Sequence, residues 1–295
     1  MQNKLQEHQW ELLLGRIKDG RCTPFLGAGA CHGTLPLGGS IAEKWAKQHQ
    51  YPLDDSHDLA RVSQYVAVKY EDPMYPKERI LHEFFDGVST PDFKSPNEPH
   101  GVLADLPLPI YMTTNYDDFM VRALIDRKKN VQKELCRWNE NMNNFPSVFR
   151  KGFRPTADNP VVFYLHGHKD SVNSLVLTED DYLDFLVKTS KEQDIIPPRI
   201  QEALTNSSLL FIGYSLADWD FRVIYRGLIM SMARSQRRVS ITVQLPPSSK
   251  SSSQEQVQGY LDDYFEKDEM RVYWGTAREF AQELRTRWET FSNSR

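Results

Sequence analysis

Four short stretches of this 295-residue chain end an apolar run on residues able to bind or move charge. The first closes on Gly27-Ala28-Gly29, where small residues let backbone N–H groups approach a phosphate. A helix expected over 40–48 would add the favourable field of its N-terminus. The second stops at Thr113-Thr114-Asn115-Tyr116-Asp117; Asn115 can both donate and accept, which suits a ribose hydroxyl or a water. The third ends on His166-Gly167-His168. An imidazole with an ordinary pKa of about 6.5 exchanges protons near neutrality, so His166 is the acid–base candidate. The fourth ends on Gly213-Tyr214-Ser215, with the Ser215 hydroxyl suited to a ribose or phosphate contact. No G-x-S-x-G frames Ser215, so it does not read as a hydrolase nucleophile.

Each residue also has a plainer reading. Asp117 and Asp218 suit helix N-caps, with Arg222 one turn beyond Asp218 as an ion-pair partner. Asn115 alone is a turn residue, and His168 reads as structural. The glycine turn lacks the third glycine of the G-x-G-x-x-G dinucleotide fingerprint. Two histidines at i and i+2, with no carboxylate or cysteine completing the set within the motif, assign no metal ligands. Position separates the chemical reading from the plain one, because all four stretches stop at the ends of β-like runs.

Those runs cover 24–26, 110–113, 161–165, 209–212, 239–245 and 270–274, bounded by breakers. Helical periodicity falls between and around them, over 59–70, 77–85, 117–124, 179–187, 218–232 and 277–288. Alternation of this kind implies an α/β, Rossmann-like, doubly wound parallel sheet, with a helical insertion over 31–109 between the first two strands. In such sheets ligands bind outside the carboxyl ends of the strands, so the first three endings, with their glycine turn, Asn and His, are expected to form one composite site for a phosphate-bearing ligand. The rest of the 1–295 domain is expected to comprise an amphipathic N-terminal helix facing the core with Trp10, Leu12, Leu13 and Ile17, a stretch at 128–159 wrapping the surface, and a flexible polar loop at 246–257.

Composition narrows the class. Hydrophobic content of 40% and charged content of 26% are those of an ordinary globular protein. A net charge of −4 gives no global drive toward nucleic acid, although Arg234, Arg237 and Arg238 form a local basic run. Cys22, Cys31 and Cys136 are three in number and form no C-x-x-C pair, which excludes a four-cysteine zinc site within one chain, argues against a disulfide framework and suggests a reducing cytoplasm. No apolar run approaches the roughly 20 residues of a membrane span, and no signal-peptide pattern opens the chain.

Taken in order, the motifs resemble the sirtuin-like superfamily, and within it the bacterial sirtuin-like domain of antiphage defence proteins. The matching residues are Phe25-Leu26-Gly27-Ala28-Gly29-Ala30, Thr113-Thr114-Asn115-Tyr116-Asp117, Leu165-His166-Gly167, Gly213-Tyr214-Ser215-Leu216-Ala217-Asp218 and the closing 272–280. Two features of protein-deacetylating relatives are missing: the paired-cysteine zinc module after His168, and the Phe-Arg pair after the glycine motif. The resemblance therefore implies an NAD+ hydrolase without zinc, cleaving the nicotinamide–ribose bond, rather than a deacylase. It implies that Gly27, Ala28 and Gly29 border the phosphates, that Asn115 orients ribose or water, and that His166 is the general base. Thr114, Gly213 and Ser215 are implied as cofactor contacts and Asp117 as part of the nicotinamide pocket. It further implies a homo-oligomer, alone or with a HerA-like ATPase. The alternatives are a non-catalytic NAD or ADP-ribose sensor, or a structural subunit of such an ATPase complex acting on DNA.

Overall fold

The computed structural model describes residues 5–191, 195–214, 238–245, 254–267 and 269–294. Seven strands form one all-parallel sheet: β1 (Cys22–Leu26), β2 (Ile110–Thr113), β3 (Gln132–Leu135), β4 (Val161–Tyr164), β5 (Ser208–Ile212), β6 (Ser240–Gln244) and β7 (Met270–Trp274). Their spatial order is β3-β4-β2-β1-β5-β6-β7. From β1 the chain builds first toward β2, β4 and β3, then returns to lay β5 on the other side of β1. That reversal is the topological switch point of a doubly wound sheet.

The central strands β2, β4 and β5 are apolar at nearly every position because both faces are covered. Side chains nevertheless alternate between two cores. On one face lie Leu26, Tyr111, Val162, Tyr164, Leu210 and Ile212. On the other lie Phe25, Met112, Phe163, Leu209 and Phe211. The first face is closed by α1 (Glu7–Lys18), α5 (Pro99–Ala104), α6 (Phe119–Asp126) and α10 (Ala277–Asn293); the second by α7 (Glu179–Lys191), α8 (Pro198–Asn206) and α9 (Gln254–Glu266). Between β1 and β2, α2 (Gly38–His49), α3 (Leu59–Lys69) and α4 (Tyr75–Phe84) build a third cluster around Trp45, Val62 and Ile80. Tyr116, Leu175 and Leu177 join that cluster, tying the helical layer to the loops after β2 and β4.

Several expectations are corrected. In α1 the buried face is Trp10, Leu13, Leu14 and Ile17, an i, i+3, i+4, i+7 stripe, and Leu12 lies off it, exposed. The stretch at 128–159 contributes β3, whose sequence Gln-Lys-Glu-Leu carries no strand pattern. Its pairing with β4 at the sheet edge, Gln132 opposite Val161 through Leu135 opposite Tyr164, forms the strand where propensity does not. Of the expected loop 246–257, residues 246–253 lie outside the described residues and 254–257 begin α9. The expected helix 218–232, with Asp218 and Arg222, also lies outside them, as do Ser215, Arg234 and Arg237; Arg238 is exposed.

Candidate active site at the carboxyl ends of the strands

In the sheet register Leu26 lies opposite both Thr113 and Ile212, and Thr113 lies opposite Tyr164. The segments beginning at Gly27, Thr114, Leu165 and Gly213 therefore leave four adjacent strands at one level. The four stretches singled out by chemistry share one edge of the sheet.

The glycine turn serves the backbone first. Gly27 N–H donates to Ile212 O at 2.9 Å, Gly29 N–H to Gly213 O at 2.9 Å, and Ala30 N–H to Gly27 O at 3.0 Å. These three amides have backbone partners within the protein, and Ala28 is the exposed member of the turn. What requires glycine here is close approach. A Cβ on Gly213 would stand 2.2 Å from Ala30 N, and its φ of +83° disfavours any L side chain.

Asn115 is half-buried and held by three bonds. Its N–H donates to Thr113 Oγ1 at 2.9 Å, and its Nδ2 donates to Gly27 O at 3.0 Å and to Cys31 Sγ at 3.2 Å. Thr114 Oγ1 lies 3.0 Å from the Tyr214 hydroxyl, which in turn donates to Leu26 O at 3.0 Å. Asp117 is buried and sits one residue before the N-cap of α6, which is Asp118 rather than Asp117 as expected. It still satisfies an orphan amide of the first turn, accepting from Phe119 N–H at 2.8 Å. Its second oxygen accepts from the Cys31 thiol at 3.3 Å.

Cys31, His100 and Glu98 are the residues that sequence reasoning missed. His100 Nε2 lies 3.9 Å from Cys31 Sγ, and His100 Nδ1 lies 2.7 Å from Glu98 Oε1. Burial pushes the Glu98 carboxyl up, but hydrogen bonds from His100 and the Gly101 amide outweigh it and hold the group below its ordinary range. Burial and then the Asp117 carboxylate push the Cys31 thiol well above its ordinary range, so it stays protonated. Cys31 Sγ, His100 Nε2 and an Asp117 oxygen lie within 4.8 Å of one another, donor types that could hold a metal ion. The only signal in the sequence was a cysteine two residues beyond the glycine pair; its partners lie 69 and 86 positions away.

His166 is buried two residues past β4, its ring edge-on to Tyr182 at 5.3 Å and Phe185 at 5.1 Å, both from α7. Burial lowers its pKa to about 3, so the imidazole is neutral at physiological pH, and its Nε2 has no hydrogen-bond partner. Among the described residues no hydrogen bond joins it to the Asn115 network. Gly167 follows at φ +91°, where a Cβ would meet Ser174 O at 2.2 Å. His168 is structural: its N–H donates to Ser174 Oγ at 2.9 Å and its Nδ1 accepts from Asp170 N–H at 3.1 Å.

This geometry can be set beside known proteins. Residues 109–272, more than half of the chain, match the model of the SIR2-like domain. The NAD(+) hydrolase ThsA of Acinetobacter baumannii (strain 532279) is 24% identical over 240 residues, covering 79% of this chain and 45% of the relative. The protein of the same name from Cytobacillus dafuensis is 26% identical over 226 residues, 76% of this chain and 41% of the relative. A solved chain from a study of the mechanism and regulation of Sir2 enzymes aligns over 98% of this chain at 10% identity and a TM-score of 0.45, too loosely to lend residue roles. The chain spans less than half the length of the ThsA relatives it matches. No described helix is long and apolar enough to cross a membrane. Cys22, Cys31 and Cys136 are separate, buried and free, with no paired-cysteine module among the described residues. With the glycine turn, the Asn115 strand end and the His166-Gly167 turn in register on one parallel sheet, and the family model matching from β2 to β7, the chain belongs to the SIR2-like domain family.

Proposed function

We propose that the chain hydrolyses NAD+ at the nicotinamide–ribose bond, releasing nicotinamide and ADP-ribose, and that it acts in bacterial antiphage defence by depleting the cofactor. The observation that carries this reading is the common level at which β4, β2, β1 and β5 end, so that a neutral imidazole with an unpartnered Nε2, a half-buried amide and a glycine turn follow successive neighbouring strands. The named ThsA relatives support it.

The bond needs little acid catalysis, because nicotinamide leaves as a neutral base and takes the bonding electron pair with it. Carbon C1′ becomes oxocarbenium-like, a water oxygen forms the new bond to it, and the water's proton must be removed. In this reading Asn115 orients the water or the ribose. His166 takes the proton directly or through a ribose hydroxyl, and its low pKa keeps a lone pair available at neutral pH. Ala28, Gly29, Gly27, Thr114, Gly213 and Ser215 border the nucleotide, and Asp117 the nicotinamide. In this reading the protein works in the cytoplasm as a homo-oligomer. A freely active NADase would drain the cell, so gating by assembly or by a HerA-like ATPase belongs to the same reading.

The test is nicotinamide release from NAD+ by purified protein, with Asn115→Ala and His166→Ala alongside. Each variant is expected to lose about 10²–10⁴-fold in rate, with circular dichroism unchanged. Binding of NAD+ without any release, under every assembly and partner condition tried, would replace hydrolysis by sensing. Near-normal turnover in His166→Ala would remove its role as base.

A further inference from the structure

Asn115 lies in a chain of polar contacts whose two ends can only accept. The Gly27 carbonyl oxygen stands 3.0 Å from Asn115 Nδ2. It has no proton to give, so the amide must turn its NH2 group toward it; the reverse orientation would set Oδ1 against that oxygen. The second Nδ2 hydrogen goes to Cys31 Sγ at 3.2 Å. The thiol in turn donates to Asp117 Oδ2 at 3.3 Å, and Asp117 Oδ1 accepts from Phe119 N–H at 2.8 Å. A carbonyl at one end and a carboxylate at the other thus set the direction of every bond between them. His100 Nε2 also lies 3.9 Å from the sulfur, its ring held through Nδ1 by Glu98 at 2.7 Å. Cys22 and Cys136 are equally buried, but among the described residues neither thiol takes part in such a network.

We propose that Cys31 is a positioning residue: it occupies the second amide hydrogen of Asn115, so that Asn115 meets its ligand through Oδ1 alone, as a hydrogen-bond acceptor. This rests on the NAD+-cleavage reading above and refines it. An acceptor holds a water by its hydrogen and leaves the oxygen lone pair free to attack C1′. An amide released from Cys31 could turn its NH2 toward the same water and occupy the lone pair that must react. Serine at position 31 keeps both a donor and an acceptor; alanine and valine keep neither.

The experiment combines steady-state NAD+ cleavage with NMR of the Asn115 side-chain amide in ligand-free protein, its signals assigned by their loss in Asn115→Ala. Cys31→Ala is expected to lower kcat by about 10²-fold with little change in KM, the effect of a misplaced reacting group. Cys31→Ser is expected to stay within about tenfold of the parent protein, the worth of one weakened hydrogen bond. The Asn115 NH2 protons should exchange slowly with solvent in the parent and in Cys31→Ser, and quickly in Cys31→Ala. Cys31→Val, closer in volume, serves the same comparison if the alanine variant loses its fold. Full activity in a folded Cys31→Ala or Cys31→Val protein, or unchanged amide exchange in either, would overturn the proposal. A parent protein that cleaves no NAD+ would instead refute the hydrolase reading, and the amide exchange would still decide whether Cys31 holds Asn115.

Discussion

Two of the buried histidines, His166 and His168, should make this protein sensitive to mild acid. An imidazole in the unfolded chain takes up a proton near pH 6.5, whereas burial lowers His166 to about 3. Burial, aided by the nearby Lys133 ammonium, lowers His168 to about 4. Between those values and 6.5 the unfolded state binds more protons than the folded one. Stability is therefore undiminished above neutrality and falls as pH drops from about 6.5 toward 4. At about pH 5 each histidine costs the folded state about 2 kcal/mol, and the two together about 4 kcal/mol. That is a large share of the roughly 5–15 kcal/mol that holds a typical domain together. A measurement near pH 5 is informative because unfolded carboxyls, with pKa values of about 4, are still largely ionised there and contribute little. Urea unfolding at about pH 7.5 and about pH 5 should show at least that loss in the parent protein, because burial and Lys69 also hold His49 below its ordinary range, and about 2 kcal/mol less of it in His166→Asn or in His168→Asn. Equal stability at the two pH values, or a pH dependence in His166→Asn as steep as in the parent, would refute the argument that these imidazoles are buried neutral.

The same neutral His166 predicts a pH–rate profile. In NAD+ cleavage, kcat/KM should show no acidic limb at the ordinary histidine pKa of about 6.5 and should stay flat down to about pH 5; a fall centred near 6.5 would mean that the imidazole is solvated. Gly213→Ala, which forces a Cβ into Ala30 N at 2.2 Å and strains a φ of +83°, should cost at least about 3 kcal/mol in urea unfolding or abolish soluble expression. On α1, Leu14→Ala should cost about 2–5 kcal/mol, whereas Leu12→Ala should change stability by no more than about 0.5 kcal/mol; similar losses at the two positions would contradict the assigned buried face. Acyl-lysine peptides should not be deacylated, since the chain lacks the paired-cysteine module of the deacetylases; robust release of free lysine peptide would count against that reading.

What the sequence determined by itself was the alternation of elements and the endings of the strands. Runs such as 161–163 and 209–212 are apolar at every position because both faces of a parallel sheet are covered, a local signature that needs no knowledge of neighbours. Breakers and polar groups at Gly27, Asn115, His166 and Gly213 then stood at strand ends whatever the strand order. Tertiary structure decided the rest, because it depends on contacts between residues far apart in the chain. Strand β3 exists only because β4 offers an edge to Gln132–Leu135. The glycine turn is glycine because Gly213, nearly two hundred residues on, packs against it, and that packing also spends the amides of Gly27 and Gly29. No spacing rule joins Cys31 to His100, Asn115 and Asp117; the sheet register and the helical layer bring them together. The low pKa of His166 is likewise a property of α7 closing over it with Tyr182 and Phe185, since desolvation is the work of surroundings and not of the residue itself.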